Sequence, residues 1–342
     1  MTIAREKTVE RVRIGVVGAG YMGRTYAHIV RAHPLAQLVG IADLRLPVAA
    51  LAATDLDVAP YASAVELLDA GPVDGLIVAT VEHEHLEPSR VAFAAGAGVL
   101  VEKPIATTVE DAAQIIAAAE RAGRPLLVGH VLRFDARYAR LQEIVQSGGI
   151  GEPLTVYARR LNGIAAQDRL HGRCSLPLFL GVHDYDIVRW VTGSEVTEVV
   201  ARARKGFLAG IGFAVEDATI ALLTLANGVL ATVEEGWILP ATHPAGFDQR
   251  LDVNGSAGRV ELEGHEAGLS VMGAERYSWP DTQLWPTVHG EVVGALRRET
   301  WHFVDVLRGS AEPLVSGADG LAAIRIALAV EESARTGATV RL

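Results

Sequence analysis

Lys103 closes the run Gly98-Val99-Leu100-Val101-Glu102-Lys103-Pro104 in a chain where only three lysines, Lys7, Lys103 and Lys205, stand among 31 basic residues. Arginine supplies nearly all other positive charge, so a lysine kept at this place points to a need for a compact ammonium with three rotatable donors. Its pKa can also be moved by its surroundings, which that of a guanidinium cannot. A second grouping lies upstream. Gly18-Ala19-Gly20-Tyr21-Met22-Gly23 matches G-x-G-x-x-G directly after an apolar run, and Asp43 lies farther along in Val39-Gly40-Ile41-Ala42-Asp43. Such glycines permit a tight turn, the approach of a pyrophosphate to a helix N-terminus, and close helix–sheet contact. An acid at that distance accepts hydrogen bonds from ribose hydroxyls. A carboxylate there repels a 2′-phosphate, so NAD is favoured as cofactor, with NADP kept open by Arg45 nearby.

The elements that must position these residues follow a clear rhythm. Strand-like runs at 13–17, 37–42, 74–79, 98–101 and 125–128, with a weaker one at 57–61, alternate with helix-like segments at 21–32, 47–53, 63–70, about 86–95 and 107–122. Strands and helices in this order predict βαβ units and a parallel sheet covered on both faces. Thr80 ends the 74–79 strand, so residues 81–85 are expected to line the crevice outside the strand ends, His85 among them. His83 and His85 have no carboxylate or cysteine partner at ligand spacing, so no metal is expected.

After about Gly129 the rhythm changes. A helix at 135–146 leads to a strand at 154–161, a polar stretch at 162–176 and a helix from Pro177 to Val191. Strands at 197–205, 217–225, 229–237, 247–254 and 259–262, with turn signals Ala226-Asn227-Gly228 and Asn254-Gly255-Ser256, predict an antiparallel meander. Helices at about 292–307 and 318–336 follow, the latter ended by Gly337. The fold class expected is an α/β Rossmann domain over residues 1–128. An α+β domain with a large, mainly antiparallel open sheet would occupy 129–342, its last helix free to pack back on the first domain.

Composition narrows the function. A net charge of −10 disfavours nucleic acid, and half the residues are apolar without any run long enough to span a membrane. The polar first eleven residues argue against a secretory leader. The lone Cys174 excludes an intrachain disulfide and fits a reducing cytoplasm.

Gly18–Gly23, Asp43, Thr80 to His85, Glu102-Lys103-Pro104, the stretch Gly181-Val182-His183-Asp184-Tyr185-Asp186 and the tail around Gly337 together resemble the glucose-fructose oxidoreductase / inositol dehydrogenase (Gfo/Idh/MocA) family. The likeness covers essentially the whole chain. It implies an NAD(P)-dependent oxidoreductase acting on a sugar or cyclitol hydroxyl, or on the matching ketone. It makes Lys103 the active-site lysine and His183 the acid/base. It places Gly18, Gly20, Tyr21, Met22, Gly23, Asp43, Thr80, His85, Glu102 and Lys103 around the cofactor. The chemistry is self-consistent: a neutral imidazole takes the hydroxyl proton while an ammonium stabilises the alkoxide.

Two positions depart from the family pattern. Phe179 stands where the inositol branch carries an aspartate one helical turn before the histidine, leaving Asp184 and Asp186 to stand in for it; Val81 replaces a proline. His130, Arg133, Arg169, Arg173, Phe179 and Asp186 are the candidate substrate contacts, the arginines offering a clamp for a carboxylate or phosphate. Trp237 and His243 are placed to reach the pocket, with core packing the alternative for the tryptophan. Cys174 reads as a bystander. The competing readings are a cofactor-binding regulator or sensor of the same fold without turnover, and a reductase of tetrapyrrole or dihydrodiol type. Apolar residues in 218–225 and 229–233 predict a homodimer or homotetramer through the second sheet.

Overall fold

The computed structural model describes residues 11–264, 269–273 and 277–342; Lys7 and the side chain of Arg169 lie outside the described residues. The first sheet contains β1 (Val12–Val17), β2 (Ala36–Ala42), β3 (Pro60–Tyr61), β4 (Gly75–Val78), β5 (Gly98–Glu102) and β6 (Leu126–Gly129). All are parallel, in the order β3-β2-β1-β4-β5-β6. The helices between them are α1 (Tyr21–Ala32), α2 (Leu46–Leu56), α3 (Ala64–Asp69), α4 (Leu86–Ala94) and α5 (Val109–Ala122). β4 and β5 are buried along their whole length, as their unbroken apolar sequences require for strands covered on both faces. The strand order reverses between β1 and β4, and such a switch point opens a crevice at the carboxyl ends of the strands. Thr108 caps α5 by accepting from the Asp111 amide.

The second half runs α6 (Ala136–Gln146), β7 (Pro153–Gly163), α7 (Gln167–Leu170), α8 (Val182–Thr192), β8 (Val196–Arg204) and α9 (Phe207–Gly210). Then come β9 (Ala218–Leu225), β10 (Leu230–Leu239), β11 (Phe247–Gly255) and β12 (Arg259–Glu263). Two small hairpins, β13 (Val271–Met272) with β14 (Tyr277–Ser278) and β15 (Thr287–Val288) with β16 (Glu291–Val292), precede α10 (Ala295–Leu307), α11 (Gly317–Thr336) and β17 (Val340–Arg341). The sheet order is β12-β11-β7-β10-β9-β8-β17. It is mixed, and this corrects the expected simple meander. β8, β9 and β10 follow one another as a meander, but β7 inserts between β10 and β11 and lies parallel to β10. Helix α8 lies on the path from β7 back to the sheet, so β7 and β10 can run in the same direction.

Helices α8 and α11 cover one face of this sheet. β9 alternates, with Thr219, Ala221 and Leu223 inward and Ile220 and Leu222 outward, so both faces carry apolar side chains. Helix α11 starts in a capping box of Ser316 and Asp319, ends at Gly337 with φ +77°, and touches β8 and α8 on one side and α5 and β6 on the other. It is a shared wall between the two halves.

Candidate active site

Gly18 turns the chain out of β1 with φ +94°, and a Cβ there would lie 2.3 Å from the Ala79 carbonyl oxygen. A Cβ on Gly23 would lie 1.7 Å from the Gly18 carbonyl oxygen, so both positions demand glycine. Gly20 differs: nothing stands within 4 Å of its missing Cβ. Helix α1 begins there without a side-chain cap and without an acid in its first turn. An open N-terminus with room for an anion is the cradle a dinucleotide pyrophosphate needs. Asp43 Oδ2 accepts from the Ala19 amide at 3.0 Å and Oδ1 from the Arg45 amide at 2.9 Å. The carboxylate therefore braces the glycine turn and retains lone pairs for ribose hydroxyls. Tyr21, at the first turn of α1, is exposed and accepts from Trp285 Nε1 at 3.1 Å, while Met22 packs on the core. Thr80 Oγ1 donates to the Glu84 carbonyl.

β5 delivers Glu102 and Lys103 to the same edge, where the Lys103–Pro104 peptide is cis. His85 is buried with Nδ1 2.9 Å from the Pro104 carbonyl, so its ring braces this loop from behind. Lys103 Nζ donates to the Phe179 carbonyl at 2.9 Å and lies 4.1 Å from the centre of the Phe179 ring. Burial holds the ammonium below the ordinary lysine range, and the charges of Glu102 and Glu82 pull the other way. The Phe179 ring is backed in turn by the fully buried Trp237, at 5.4 Å between centroids. Trp237 is thus a support for the wall and not a pocket surface, whereas His243 stands against Trp279.

The helix carrying His183 is not uniform. Residues Pro177–Gly181 form a π-helical turn, in which the Val182 amide reaches the Pro177 carbonyl, and α8 proper starts at Val182. Such turns recur at functional sites because they break the regular use of backbone carbonyls. His183 Nδ1 is buried without a hydrogen-bond partner among the described residues. Burial, then the charges of Lys103 and Arg160, push the imidazole well below the ordinary histidine range.

Neither carboxylate expected to replace the missing aspartate faces this histidine. Asp184 pairs with Arg160 of β7 through contacts of 2.7 and 2.9 Å, and Asp186 pairs with Arg133 at 2.9 and 2.5 Å. Their helical positions turn them toward the sheet and toward α11, where buried guanidiniums need them. Arg133 also bonds the Leu314 carbonyl and lies 3.0 Å from Asp319. Its donors hold the shared wall together, so the geometry does not offer Arg133 or Asp186 to a substrate. Replacing Arg133 by alanine should cost about 3–5 kcal/mol, because it strands a buried carboxylate. Urea unfolding of the Arg133→Ala variant checks this, and a loss near zero would return the residue to the pocket. His130 is 2 % exposed, and among the described residues neither ring nitrogen has a partner; burial lowers its pKa, and it lies close enough to His183 to influence it.

Arg173 reaches across to the first domain and holds Glu82 through two 2.9 Å contacts. The expected arginine clamp is therefore engaged by a protein carboxylate. Cys174 is buried beside it, its thiol pushed up to about 12, chiefly by burial, and it stays protonated. Sequence reading missed Tyr26, Arg160, Glu299 and Asp319, and the pairing of Glu82 with Arg173. Each acts through a partner distant in sequence, which nothing in its neighbouring residues marks.

Two family models cover most of the chain. Residues 12–130 match the oxidoreductase family with NAD-binding Rossmann fold, and residues 138–261 match the GFO/IDH/MocA C-terminal domain. The chain belongs to the GFO/IDH/MocA oxidoreductase family. It is 32 % identical over 255 residues, 73 % of each chain, to inositol 2-dehydrogenase 2 of Saccharopolyspora erythraea. It is 28 % identical over 360 residues to the D-apiose dehydrogenase of Paraburkholderia graminis, covering 99 % of this chain and 92 % of that one. The fold of this GFO/IDH/MocA protein is shared with scyllo-inositol dehydrogenase from Lactobacillus casei with bound NAD(H) and scyllo-inositol. That similarity has a TM-score of 0.83 at 20 % identity, over 97 % and 99 % of the two chains. Membership makes the chain an NAD-binding oxidoreductase, in keeping with the open glycine turn and the bracing Asp43. Among the described residues no helix is long and apolar enough to cross a membrane.

Proposed function

We propose that this protein is a dehydrogenase, or ketoreductase in reverse, for a sugar or cyclitol hydroxyl, working in a reducing cytoplasm. The observation that carries this reading is that Lys103 Nζ, brought by β5, bonds the Phe179 carbonyl in the turn that leads directly into the helix of His183; burial and then the ammonium depress the imidazole. The cofactor, held by the glycine turn, the N-terminus of α1 and Asp43, supplies the hydride acceptor when bound. His183, neutral at working pH, takes the proton of the reacting hydroxyl, and Lys103 stabilises the alkoxide left behind. One Nζ–H holds the Phe179 carbonyl, and the other two donors of the ammonium are left for that oxygen. The names of the relatives support the substrate class, and Phe179 in place of a carboxylate argues for a substrate that turns a less polar edge to this wall than inositol does. A panel of inositols, polyols, aldoses and uronates with NAD+ and NADP+, followed at the absorbance of the reduced cofactor, tests the reading. Tight NAD binding without turnover on any of them would favour a sensor.

The outward face of the second sheet carries exposed Val200, Ile220, Leu222 and Leu230. Their contiguity supports a homodimer or homotetramer assembled through this face. Light scattering should give at least a dimer, reduced to a monomer by Leu222→Glu; a monomeric wild-type protein at micromolar concentration would sink the assembly.

A further inference from the structure

The fully buried Tyr26 hydroxyl lies 2.9 Å from Glu102 Oε1 and 2.7 Å from Glu299 Oε1. A phenol has one proton and donates once. Both contacts can be hydrogen bonds only if one of the two carboxyls brings a proton of its own and donates it to the phenolic oxygen. The surroundings decide which. Burial raises the Glu102 carboxyl, but the Lys103 ammonium opposes that shift and Glu102 Oε2 accepts from the Lys103 amide at 2.9 Å, both favouring the ionised form. Among the described residues Glu299 Oε2 is buried with no partner and no cation acts on the group. An ionised Glu299 would be an uncompensated buried charge, which proteins avoid by protonation.

We propose that Glu299 is a neutral acid in the folded protein, donating to Tyr26, which donates to Glu102, and that this chain keeps Glu102 ionised beneath Lys103. Tyr26 and Glu299 are then positioning residues for the lysine. They tie the helix that starts at the glycine turn (α1) and a helix of the second half (α10) to the strand that carries it (β5). Burial and the Glu102 charge push the Glu299 carboxyl well above the usual range, in the same sense as the geometry. The other titratable groups acting on the chain are Lys103 and Glu82, both on the Glu102 side. The value of the arrangement for turnover rests on the role of Lys103 proposed above.

The scarcity of lysine makes the test direct. Competitive acetylation of the full-length protein over a pH series, read by peptide mass spectrometry, titrates Lys103 with the exposed Lys205 as internal reference. Glu299→Gln replaces the acid O–H by an amide donor and should move the Lys103 midpoint by less than about half a pH unit, whereas Glu102→Gln should lower it by about one unit or more. An equal fall in Glu299→Gln, or no fall in Glu102→Gln, overturns the proposal. Should Glu102→Gln not fold, infrared difference spectra decide: a protonated-carboxyl band must be lost in Glu299→Gln at neutral pH, and its retention overturns the assignment. Neither measurement uses a substrate, so a wrong reading of the reaction would leave both results standing.

Discussion

Lys103→Ala should lower kcat by about 10²–10³-fold or more while leaving NAD affinity within a few-fold, because one preorganised donor to a developing oxyanion is worth that much. The side chain fits this role since its charge is held under tension. Burial lowers its pKa, Glu102 and Glu82 raise it, and its direct partner is the neutral Phe179 carbonyl and not a carboxylate. An ammonium without a tight ion pair is free to meet a new negative charge at little reorganisation cost. Lys103→Arg should not restore the rate, since the broader guanidinium cannot fit both the Phe179 carbonyl and the substrate oxygen. Steady-state kinetics with cofactor titration by fluorescence checks both. Unchanged kcat in Lys103→Ala would remove the lysine from the chemistry, and loss of NAD binding alone would make it a cofactor contact.

The pH profile should be displaced toward acid at its lower end. A histidine whose pKa is lowered stays neutral, and so remains a base, to a lower pH than an ordinary one. His183 is lowered by burial and by Lys103, so the acid limb of kcat/KM for alcohol oxidation should fall below the usual histidine value. Lys103, also lowered, should bring the basic limb below the usual lysine value. His183→Ala should reduce kcat/KM by about 10²–10⁴-fold and flatten the acid limb. A wild-type acid limb at or above the ordinary histidine value would mean that His183 is not the base, or that a carboxylate moves beside it in the ternary complex.

What could be read from the sequence was whatever local chemistry encodes. The glycine turn, Asp43 and Lys103 declare themselves by type and spacing, and the parallel first sheet follows from apolar runs alternating with helices. His183 and the break at Phe179 were visible once the resemblance aligned them. The electrostatic scaffold was not. Arg133 finds Asp186 across 53 positions and Tyr26 finds Glu299 across 273, and nothing near either residue marks its partner. For the same reason Arg173 read as a free clamp, while folding places Glu82 in its reach. Insertion of β7 between β10 and β11 is likewise a matter of tertiary pairing, to which local turn signals are blind.

The π-helical turn at Pro177–Gly181 also has a bearing on how this site can change. An α-helix advances about 100° per residue, so one residue gained or lost in a turn rotates everything beyond it by that angle. Here the wide turn sets the rotational phase between Phe179 and His183, the proposed wall and the proposed base. Point substitutions at 179 would exchange the wall and keep the phase. A single-residue deletion in the turn would restore regular winding and swing the wall around the helix axis, taking with it the carbonyl that Lys103 holds. The wall of this site is therefore open to change in side chain and closed to change in length.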